Sequence, residues 1–340
     1  MIEIKPLTHC DATVTIPGSK SYTHRALLIS ALAEGETTLV NALRSEDTEC
    51  TARGLGKLGI AVIAEGNSFR VRGTGGRLEA GSEEIYVGNS GTSMRFITAL
   101  AALKTGRTVL DGNERMRKRP MAGLLQGLTA LGARAESLRR NGYPPVVVES
   151  RGLRGGVAGI EGNESSQFFS ALLMVAPYAR EDVHLAVKGL LASRPYVDIT
   201  RDVMLAFGIE VKPEGDGGVF VPAGQRYHAR EYLVEGDASN ASYFFSAAAV
   251  TRGRVRVENF RPISAQGDAG FLQILERMGC EVRRGETWAE VSGKDLEGIT
   301  VDMNTMPDLV PTLAVTAAYA RGKTIIRNIG HLRFKESDRI

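Results

Sequence analysis

One pattern recurs along the chain at intervals of roughly 70 residues, and it restricts the possible fold more than any other feature of the sequence. Each copy begins with polar residues typical of a helix N-terminus, continues as an apolar helix, and ends in a short β-branched strand. The helix openings are Ser21-Tyr22-Thr23, Ser90-Gly91-Thr92, Ser165-Ser166-Gln167, Asp237-Ala238-Ser239 and Asn304-Thr305-Met306-Pro307. The following strands are predicted at 37–41, 107–111, 183–187, 254–258 and 324–327. We therefore expect one supersecondary unit to be repeated through the molecule.

A second helix in each copy ends on an apolar residue followed by glycine, the usual left-handed stop of a helix. These pairs are Leu58-Gly59, Leu131-Gly132, Phe207-Gly208 and Met278-Gly279. The fifth copy reaches Ile340 before such a pair, so we expect it to be incomplete and about one C-terminal unit to be lacking. Six units of this period would make a molecule of roughly 425 residues.

The two helices of each copy differ in their apolar pattern. The first is apolar on nearly every side, as at 26–29, 168–174 and 244–250, which predicts that it is buried. The second is amphipathic, as at 48–58 and 271–278, which predicts a position on the outside. With the strands forming sheets, the pattern predicts an α/β fold of repeated helix–strand–helix units with helices in the interior.

Composition excludes several classes of protein. Lys and Arg number 42 against 39 Asp and Glu, and a net charge of +3 is too small for a polycation that binds nucleic acid or membranes. No apolar run approaches the roughly 18 residues that span a bilayer. Cys10, Cys50 and Cys280 lie far apart, which argues against a disulfide framework or zinc site and fits a reducing compartment. Charge at 1–6, where a signal peptide would be apolar, favours a cytoplasmic location.

Basic side chains recur near the helix openings. A helix N-terminus carries roughly half a positive charge and free N–H groups, so several of them together with cations could form an anion site. The pattern predicts small, multiply anionic substrates, although the polar openings could be simple caps and the run 115–119 a solvated face. The basic groups are Lys20, Arg25, Arg95, the run 115–119, and Arg333, Lys335 and Arg339.

Two carboxylates are candidates for acid–base work. Asp308 stands at a buried helix start, and Glu336 lies among Lys335, Asp338 and Arg339. Neighbouring cations would keep both ionised and allow a proton path. The alternatives are a helix N-cap for Asp308 and a surface ion pair for Glu336.

Seven motifs, in order, resemble those of the 5-enolpyruvylshikimate-3-phosphate synthase family over essentially the whole chain. They are PGSKSYTHR at 17–25, GNSGTSMR at 88–95, RMRKRP at 115–120, SSQ at 165–167, EGDAS at 235–239, DMNTMPD at 302–308 and RFKESDR at 333–339. The resemblance implies a two-domain inside-out α/β barrel of βαβαββ units, with parallel helices buried and sheets outside. It implies an inserted domain at 16–236 and a second domain formed by 1–15 and 237–340.

The same resemblance implies transfer of the enolpyruvyl group of phosphoenolpyruvate to the 5-hydroxyl of shikimate 3-phosphate through a tetrahedral ketal, with release of phosphate. It implies no cofactor or metal, no nucleic-acid or membrane partner, a cytoplasmic monomer, and inhibition by glyphosate, for which Gly91 leaves room. By motif position, the catalytic residues are Asp308, as base on the 5-hydroxyl, and Glu336 and Lys20, at the methylene carbon. The shikimate 3-phosphate residues are Lys20, Ser21, Arg25, Ser165, Ser166, Gln167, Ser193, Tyr196, Asp308, His331 and Lys335. The phosphoenolpyruvate residues are Lys20, Gly91, Thr92, Arg95, Arg119, Gln167 and Arg339.

Two other interpretations remain open from the sequence. One is the sister enolpyruvyl transferase that acts on UDP-N-acetylglucosamine, which usually has a reactive cysteine in the loop equivalent to Arg115–Pro120, where this chain has none. The other is a catalytically impaired fragment that binds substrate. At one position the chain departs from the family, since His331 stands where many relatives have Asn.

Overall fold

The computed structural model describes residues 5–78, 83–162, 165–189, 191, 193–215 and 217–340. Its helices are α1 (Lys20–Leu32), α2 (Glu46–Lys57), α3 (Gly91–Ala101), α4 (Ala122–Ala130), α5 (Ser166–Val175), α6 (Pro195–Ala206), α7 (Ala238–Val250), α8 (Phe271–Arg277) and α9 (Val310–Ala317). Its strands are β1 (Asp11–Thr15), β2 (Glu34–Val40), β3 (Ala61–Glu65), β4 (Ser68–Thr74), β5 (Glu84–Tyr86), β6 (Thr105–Asp111), β7 (Arg134–Ser137), β8 (Val146–Arg151), β9 (Gly156–Glu161), β10 (Val183–Lys188), β11 (Lys212–Glu214), β12 (Gly218–Val221), β13 (Glu231–Leu233), β14 (Arg254–Glu258), β15 (Glu281–Arg284), β16 (Ala289–Ser292), β17 (Thr300–Asp302) and β18 (Ile325–Arg327).

The strands repeat one sheet topology. The four-stranded sheets have the orders β13-β2-β4-β3, β5-β6-β8-β7, β9-β10-β12-β11 and β1-β14-β16-β15. In each, the first two strands are parallel and the other pairs are antiparallel, and β17 pairs with β18 in parallel as the start of the same pattern. With the intervening helices, the sheets β5-β6-β8-β7 and β9-β10-β12-β11 each form a contiguous βαβαββ unit, whereas the edge strands β13 and β1 of the other two sheets come from distant parts of the chain. The predicted mixed α/β fold of repeated units is confirmed, and within the described residues the sheets are separate and none closes into a barrel.

Local capping chemistry explains why three of the long helices begin where the sequence predicts. Ser90, Ser165 and Asp237 are the N-caps of α3, α5 and α7, and each side chain accepts a hydrogen bond from a backbone N–H of the first turn. The second helices end at the predicted glycines, as at Gly59 and Gly279, whose φ angles of 85° and 109° are ones that a residue with a Cβ adopts only under strain.

The fifth predicted opening, at 304–307, is displaced. A 3-10 turn over Pro307–Leu309 comes first, and α9 begins only at Val310. Pro307 and Pro311 lack the backbone N–H that the interior of a helix uses, so each stands in the first turn of its element, where no donor is needed.

The first of two compact units comprises Lys20–Val234 together with His331–Ile340, and we call it the larger unit. Its core is formed by α1, α3 and α5, with α3 packed against both of the others. Every residue of α1 from Tyr22 to Leu32 is buried. The prediction that the first helices lie inside is therefore confirmed for this unit, and their N-termini are where its buried basic side chains begin.

The smaller unit comprises Met1–Ser19 and Glu235–Gly330. Here α7 packs on α9 and on the strands β14 and β16. Phe245 of α7 is buried, but Tyr243 is 60% exposed, and Val315 of α9 is 58% exposed. The prediction of burial on every side is wrong for these two helices, because the described residues of this unit place no third helix of their kind beside them.

The domain boundaries predicted at 15/16 and 236/237 stay a prediction, and in the structure the segment His331–Ile340 groups with Lys20–Val234. A bilayer-spanning helix is also absent from the described part of the chain, where every helix is too short or too polar for that role.

Candidate active site

Arg25 is the most enclosed cation of the larger unit. It lies one turn into α1 and is 1% exposed. Its Nε donates to Thr200 Oγ1 at 2.7 Å, its Nη1 to the Ser21 carbonyl at 2.9 Å, and its Nη2 to the Tyr196 carbonyl at 2.9 Å, with a longer contact of 3.5 Å to Ser170 Oγ. We call this group, Arg25 with Ser21, Ser170, Tyr196 and Thr200, the Arg25 cluster.

The charge of Arg25 has no acidic partner among the described residues. No carboxylate lies within salt-bridge distance of its guanidinium in the part of the chain that is described, and the face of the Phe96 ring lies 5.3 Å from Cζ. Burial lowers its pKa from 12.5 to about 10, so the group is still a cation at neutral pH. A buried cation that is solvated only by neutral oxygens is typical of a site that receives an anion.

A second group of cations lies at the N-terminus of α3. Arg95, one turn into the helix, is 3% exposed, and Arg119, in the loop after the 3-10 turn Met116–Lys118, is 5% exposed. Arg95 donates one hydrogen bond, from Nη2 to the Pro120 carbonyl at 3.2 Å. Its Nε and Nη1, and the Nε of Arg119, are buried without a hydrogen-bond partner among the described residues. We call these two guanidinium groups the Arg95–Arg119 pair.

Burial, and then the positive charge of Arg119, lowers the pKa of Arg95 well below its ordinary value. Burial also lowers the pKa of Arg119, although Glu336 acts in the opposite direction. The two like charges therefore destabilise one another, and the free N–H groups between them are suited to bidentate binding of a phosphate or carboxylate.

Gly91, the first residue of α3, makes this arrangement possible. A Cβ at this position would lie 2.3 Å from Arg95 Nη1 and 2.4 Å from Arg119 Nη1. Both guanidinium groups thus pack directly on the backbone of the helix start, where N–H groups and the helix dipole also favour an anion.

Glu336 supplies the negative charge beside the pair. Its Oε1 lies 3.2 Å from Arg119 Nη2, and its Oε2 accepts a hydrogen bond of 3.1 Å from Arg339 Nη2. Partial burial opposes ionisation, but Arg119, a backbone N–H, Lys335 and Lys20 outweigh it and lower the pKa of Glu336 to about 2. The carboxylate is therefore ionised at neutral pH. Its side chain is 40% exposed, so a proton can reach it.

A cavity of about 480 Å³ contains both Lys20 and Glu336 in its lining, together with Asp47, Cys50 and the loop 86–90. Lys20 Nζ lies 3.5 Å from Asp47 Oδ2. The structure therefore brings two of the three predicted catalytic residues, Lys20 and Glu336, to one cavity. No cluster of His, Cys, Asp or Glu in the described ranges is placed to hold a metal ion.

The remaining predicted residues of the larger unit lie around the same helix starts. Gln167 Nε2 donates to Thr92 Oγ1 at 2.9 Å, which ties the start of α5 to that of α3. Ser165 caps α5, and the next residue, Ser166, is buried. Ser193 is buried with φ 55°, two residues before α6. Lys335 Nζ lies 6.0 Å from the centre of the Tyr196 ring, which places this ammonium beside the Arg25 cluster.

The last two predicted residues stand in 3-10 turns. Asp308 is half-buried in the turn Pro307–Leu309 of the smaller unit. His331 is half-buried in the turn Gly330–Phe334, at the start of the segment that groups with the larger unit.

Sequence reasoning missed the neutral partners of the cations. Thr200 and Ser170 hold Arg25, and Asn89 accepts from Arg119 through its carbonyl at 3.2 Å. No local motif marks Thr200 or Ser170, because Thr200 and Arg25 are separated by 175 residues and meet only in the fold.

Three comparisons define the class of protein. The model of the family described as EPSP synthase (3-phosphoshikimate 1-carboxyvinyltransferase) matches residues 4–340. The 3-phosphoshikimate 1-carboxyvinyltransferase of Trichormus variabilis is 48% identical over 333 residues, covering 97% of this chain and 78% of that protein. The protein of the same name from Methanoculleus marisnigri is 47% identical over 332 residues, with the same two coverages.

Among solved structures, an EPSP synthase from Acinetobacter baumannii superposes with a TM-score of 0.81 at 28% identity, covering 97% of this chain and 76% of that one. The fold is thus that of an enolpyruvyl transferase. The chain belongs to the EPSP synthase family.

Proposed function

We propose that the chain transfers the carboxyvinyl group of phosphoenolpyruvate to the 5-hydroxyl of shikimate 3-phosphate, and that the two cationic groups of the larger unit divide the substrates between them. The observation that supports this most directly is the burial of Arg25 and Arg95 with no carboxylate partner in the described chain. Buried cations of this kind are stabilised by an anionic ligand, and both substrates carry a phosphate and a carboxylate.

Shikimate 3-phosphate is assigned to the Arg25 cluster. Arg25, Lys335 and the Ser165–Ser166 start of α5 would meet its phosphate and carboxylate, and Tyr196 would lie along its ring. The proposed set is completed by Lys20, Ser21, Gln167, Ser193, Asp308 and His331. Because the Arg25 guanidinium is already held by neutral oxygens, the ligand meets a cation of fixed orientation.

Phosphoenolpyruvate is assigned to the Arg95–Arg119 pair and the start of α3. Lys20, Gly91, Thr92 and Arg339 belong to the same proposed set. The ligand would accept from the N–H groups of Arg95 and Arg119 that have no partner among the described residues, and would separate their like charges. Glyphosate, itself a small anion, would compete at this pair.

The proposed reaction is an addition followed by an elimination. The 5-hydroxyl oxygen bonds to the enol carbon, its proton passes to Asp308, and the methylene carbon gains a proton to give a tetrahedral ketal. Loss of a methyl proton then re-forms the double bond as the carbon–oxygen bond to phosphate breaks. Glu336, ionised at neutral pH, and Lys20 line one cavity and are the proposed groups for proton exchange at that carbon.

Calorimetry tests the assignment. Shikimate 3-phosphate is titrated first into the chain alone and then into the chain saturated with phosphoenolpyruvate or glyphosate. The first titration should show measurable binding, and the second should show tighter binding. Phosphate release measured with both substrates tests turnover. UDP-N-acetylglucosamine is the control acceptor, and a response to it in place of shikimate 3-phosphate would contradict the proposal. Binding without phosphate release would favour a substrate-binding fragment.

Both cationic groups lie within one unit of one chain, so the proposed binding groups require no partner subunit. We extend the proposal to a monomer in the cytoplasm, which light scattering and cell fractionation would check.

A further inference from the structure

Arg115 holds the main chain of the segment 333–336. Its Nε donates to the carbonyls of Lys335 at 3.2 Å and Glu336 at 3.1 Å, and its Nη2 donates to those of Arg333 at 3.1 Å and Lys335 at 2.7 Å. Four hydrogen bonds from one side chain thus reach three carbonyls of this segment. The proposed substrate residues include the side chains of this segment but not Arg115 itself.

The need for such a donor follows from the geometry of the segment. The turn Gly330–Phe334 ends just before Lys335, and the last carbonyls of a helical turn have no partner within it. A guanidinium carries several N–H groups in one plane, so it satisfies several of these carbonyls together and also favours the negative end of the turn. The segment 331–340 is thereby held near its middle.

Arg115 and Arg119 hold the same residue from two sides. Arg115 binds the main-chain carbonyl of Glu336, and Arg119, four residues later in the same loop, binds its carboxylate at 3.2 Å. The turn Met116–Lys118 between the two arginines sets their spacing. The position of the Glu336 carboxylate therefore depends on both ends of this short loop.

We propose that Arg115 is a positioning residue that orients Lys335 and Glu336 for substrate binding and proton exchange. The catalytic part of this inference rests on the proposed function above. Arg115 itself touches no substrate in the proposal, since all four of its hydrogen bonds go to main-chain oxygens.

Arg117 provides a matched control. It lies in the same turn two residues away, but its guanidinium pairs with Asp111, and its side chain is 39% exposed. Arg117→Met removes one arginine from the loop without touching the segment 333–336. Arg115→Met removes the four hydrogen bonds while keeping a side chain of similar length, and Arg115→Lys keeps a donor.

The first measurement is amide hydrogen exchange of the substrate-free chain over 332–340, where the amides of Lys335 and Arg339 bond to the Leu332 carbonyl. Exchange should quicken about tenfold or more in Arg115→Met, partly recover in Arg115→Lys, and stay unchanged in Arg117→Met. Unchanged exchange in Arg115→Met, or equal changes in both methionine variants, would overturn the inference.

The second measurement is steady-state phosphate release. Arg115→Met should lower kcat by about 10- to 100-fold, because a small displacement of a reacting group costs that much, with a smaller rise in the KM for phosphoenolpyruvate. Arg115→Lys should be intermediate and Arg117→Met close to the parent. Faster exchange with an unchanged kcat would also overturn the inference. An inactive parent chain contradicts the proposed function instead, and the exchange measurement separates the two failures because it uses no substrate.

Discussion

The Arg25 cluster and the Arg95–Arg119 pair are both buried cationic groups at helix starts of one unit, yet they are built in opposite ways. The Arg25 guanidinium uses all three of its nitrogens in hydrogen bonds to neutral oxygens. Arg95 uses one nitrogen and leaves two without a partner in the described chain, beside a second cation. One group is completed by the protein, and the other is left for a ligand to complete.

The difference indicates how each group affects the stability of the free protein and its affinity for an anion. Hydrogen bonds from a charged donor offset part of the cost of burying Arg25, so the folded unit keeps its orientation without a ligand. Arg95 is buried without that compensation, and Arg119 repels it. The Arg95–Arg119 pair should therefore lower the stability of the ligand-free protein. Its stabilisation on binding an anion should be larger than that of the Arg25 cluster. The predictions below use substitutions to separate these two designs.

The largest effect is expected for Arg25→Met. Loss of the buried partner of a charged ligand group costs about 2–5 kcal/mol, so the affinity for shikimate 3-phosphate should fall by tens- to thousands-fold. The loss of three short hydrogen bonds should also lower the free energy of unfolding by about 2 kcal/mol. Calorimetry and urea unfolding measure the two quantities. Arg44→Met, at an exposed arginine paired with Glu49, is the control and should leave affinity unchanged.

Arg95→Met should be nearly as damaging to phosphoenolpyruvate binding but not to stability. Affinity should fall by about 2–4 kcal/mol, whereas the free energy of unfolding should stay within about 1 kcal/mol of the parent or rise, because a poorly solvated cation is removed. Urea unfolding of both methionine variants makes the comparison. Equal destabilisation by Arg25→Met and Arg95→Met would contradict the distinction between the two groups.

Gly91→Ala should affect one group and spare the other. The new methyl would overlap Arg95 and Arg119, and such overpacking costs about 1–3 kcal/mol, so the KM for phosphoenolpyruvate should rise by roughly 5- to 150-fold. The affinity for shikimate 3-phosphate should change by less than about threefold, since the atoms nearest to a Cβ at Gly91 belong to Arg95 and Arg119. Steady-state kinetics and calorimetry measure these two effects.

The matched glycine control is Gly56→Ala in α2. A Cβ there meets nothing within 4 Å, so catalysis should be unchanged and stability unchanged or raised by about 0.5–1 kcal/mol. A loss of shikimate 3-phosphate binding in Gly91→Ala would show that the two groups are not independent.

The smallest effect is expected for Glu336→Gln. The folded-state pKa of about 2 lies below the ordinary 4.5, so ionised Glu336 stabilises the protein above pH 4.5 and that contribution disappears as the pH falls towards 2. At 40% side-chain exposure solvent screens the interaction, and the contribution should be about 1 kcal/mol or less. Parent and variant should therefore differ in thermal stability near pH 7 and converge near pH 2. A constant difference across this range would contradict the assignment of the low pKa to Glu336.

The repeated unit could be predicted from the sequence because its signals are local. A cap such as Ser90 and a stop such as Gly59 act within one turn of the helix, and the strand predicted at 254–258 coincides with β14. The opening predicted at 304–307 was wrong by one short turn, because two prolines start two successive elements. The exposed faces of α7 and α9 could not be foreseen, since exposure depends on what packs beside a helix.

The sequence could predict which charged residues the candidate site contains, but not which residues contact them. Lys20, Arg25 and Arg95 stand at helix openings that the sequence displays directly, and their substrate roles stay predictions. The environment of each cation could not be predicted, because its partners are distant in sequence. Thr200 and Arg25, for example, are 175 residues apart. The main-chain role of Arg115 is invisible in its motif for the same reason, as its acceptors are carbonyls some 220 residues away.

By itself, the sequence determined the repeated helix–strand–helix pattern, the helix starts and the cations placed there, because capping, glycine stops and apolar period act over a few neighbouring residues. Only the tertiary structure decided which cation is solvated by the protein and which is left open to a ligand. Those partners are separated by many tens of residues along the chain, and burial, which sets the strength of every charge in the site, is a property of the packed molecule.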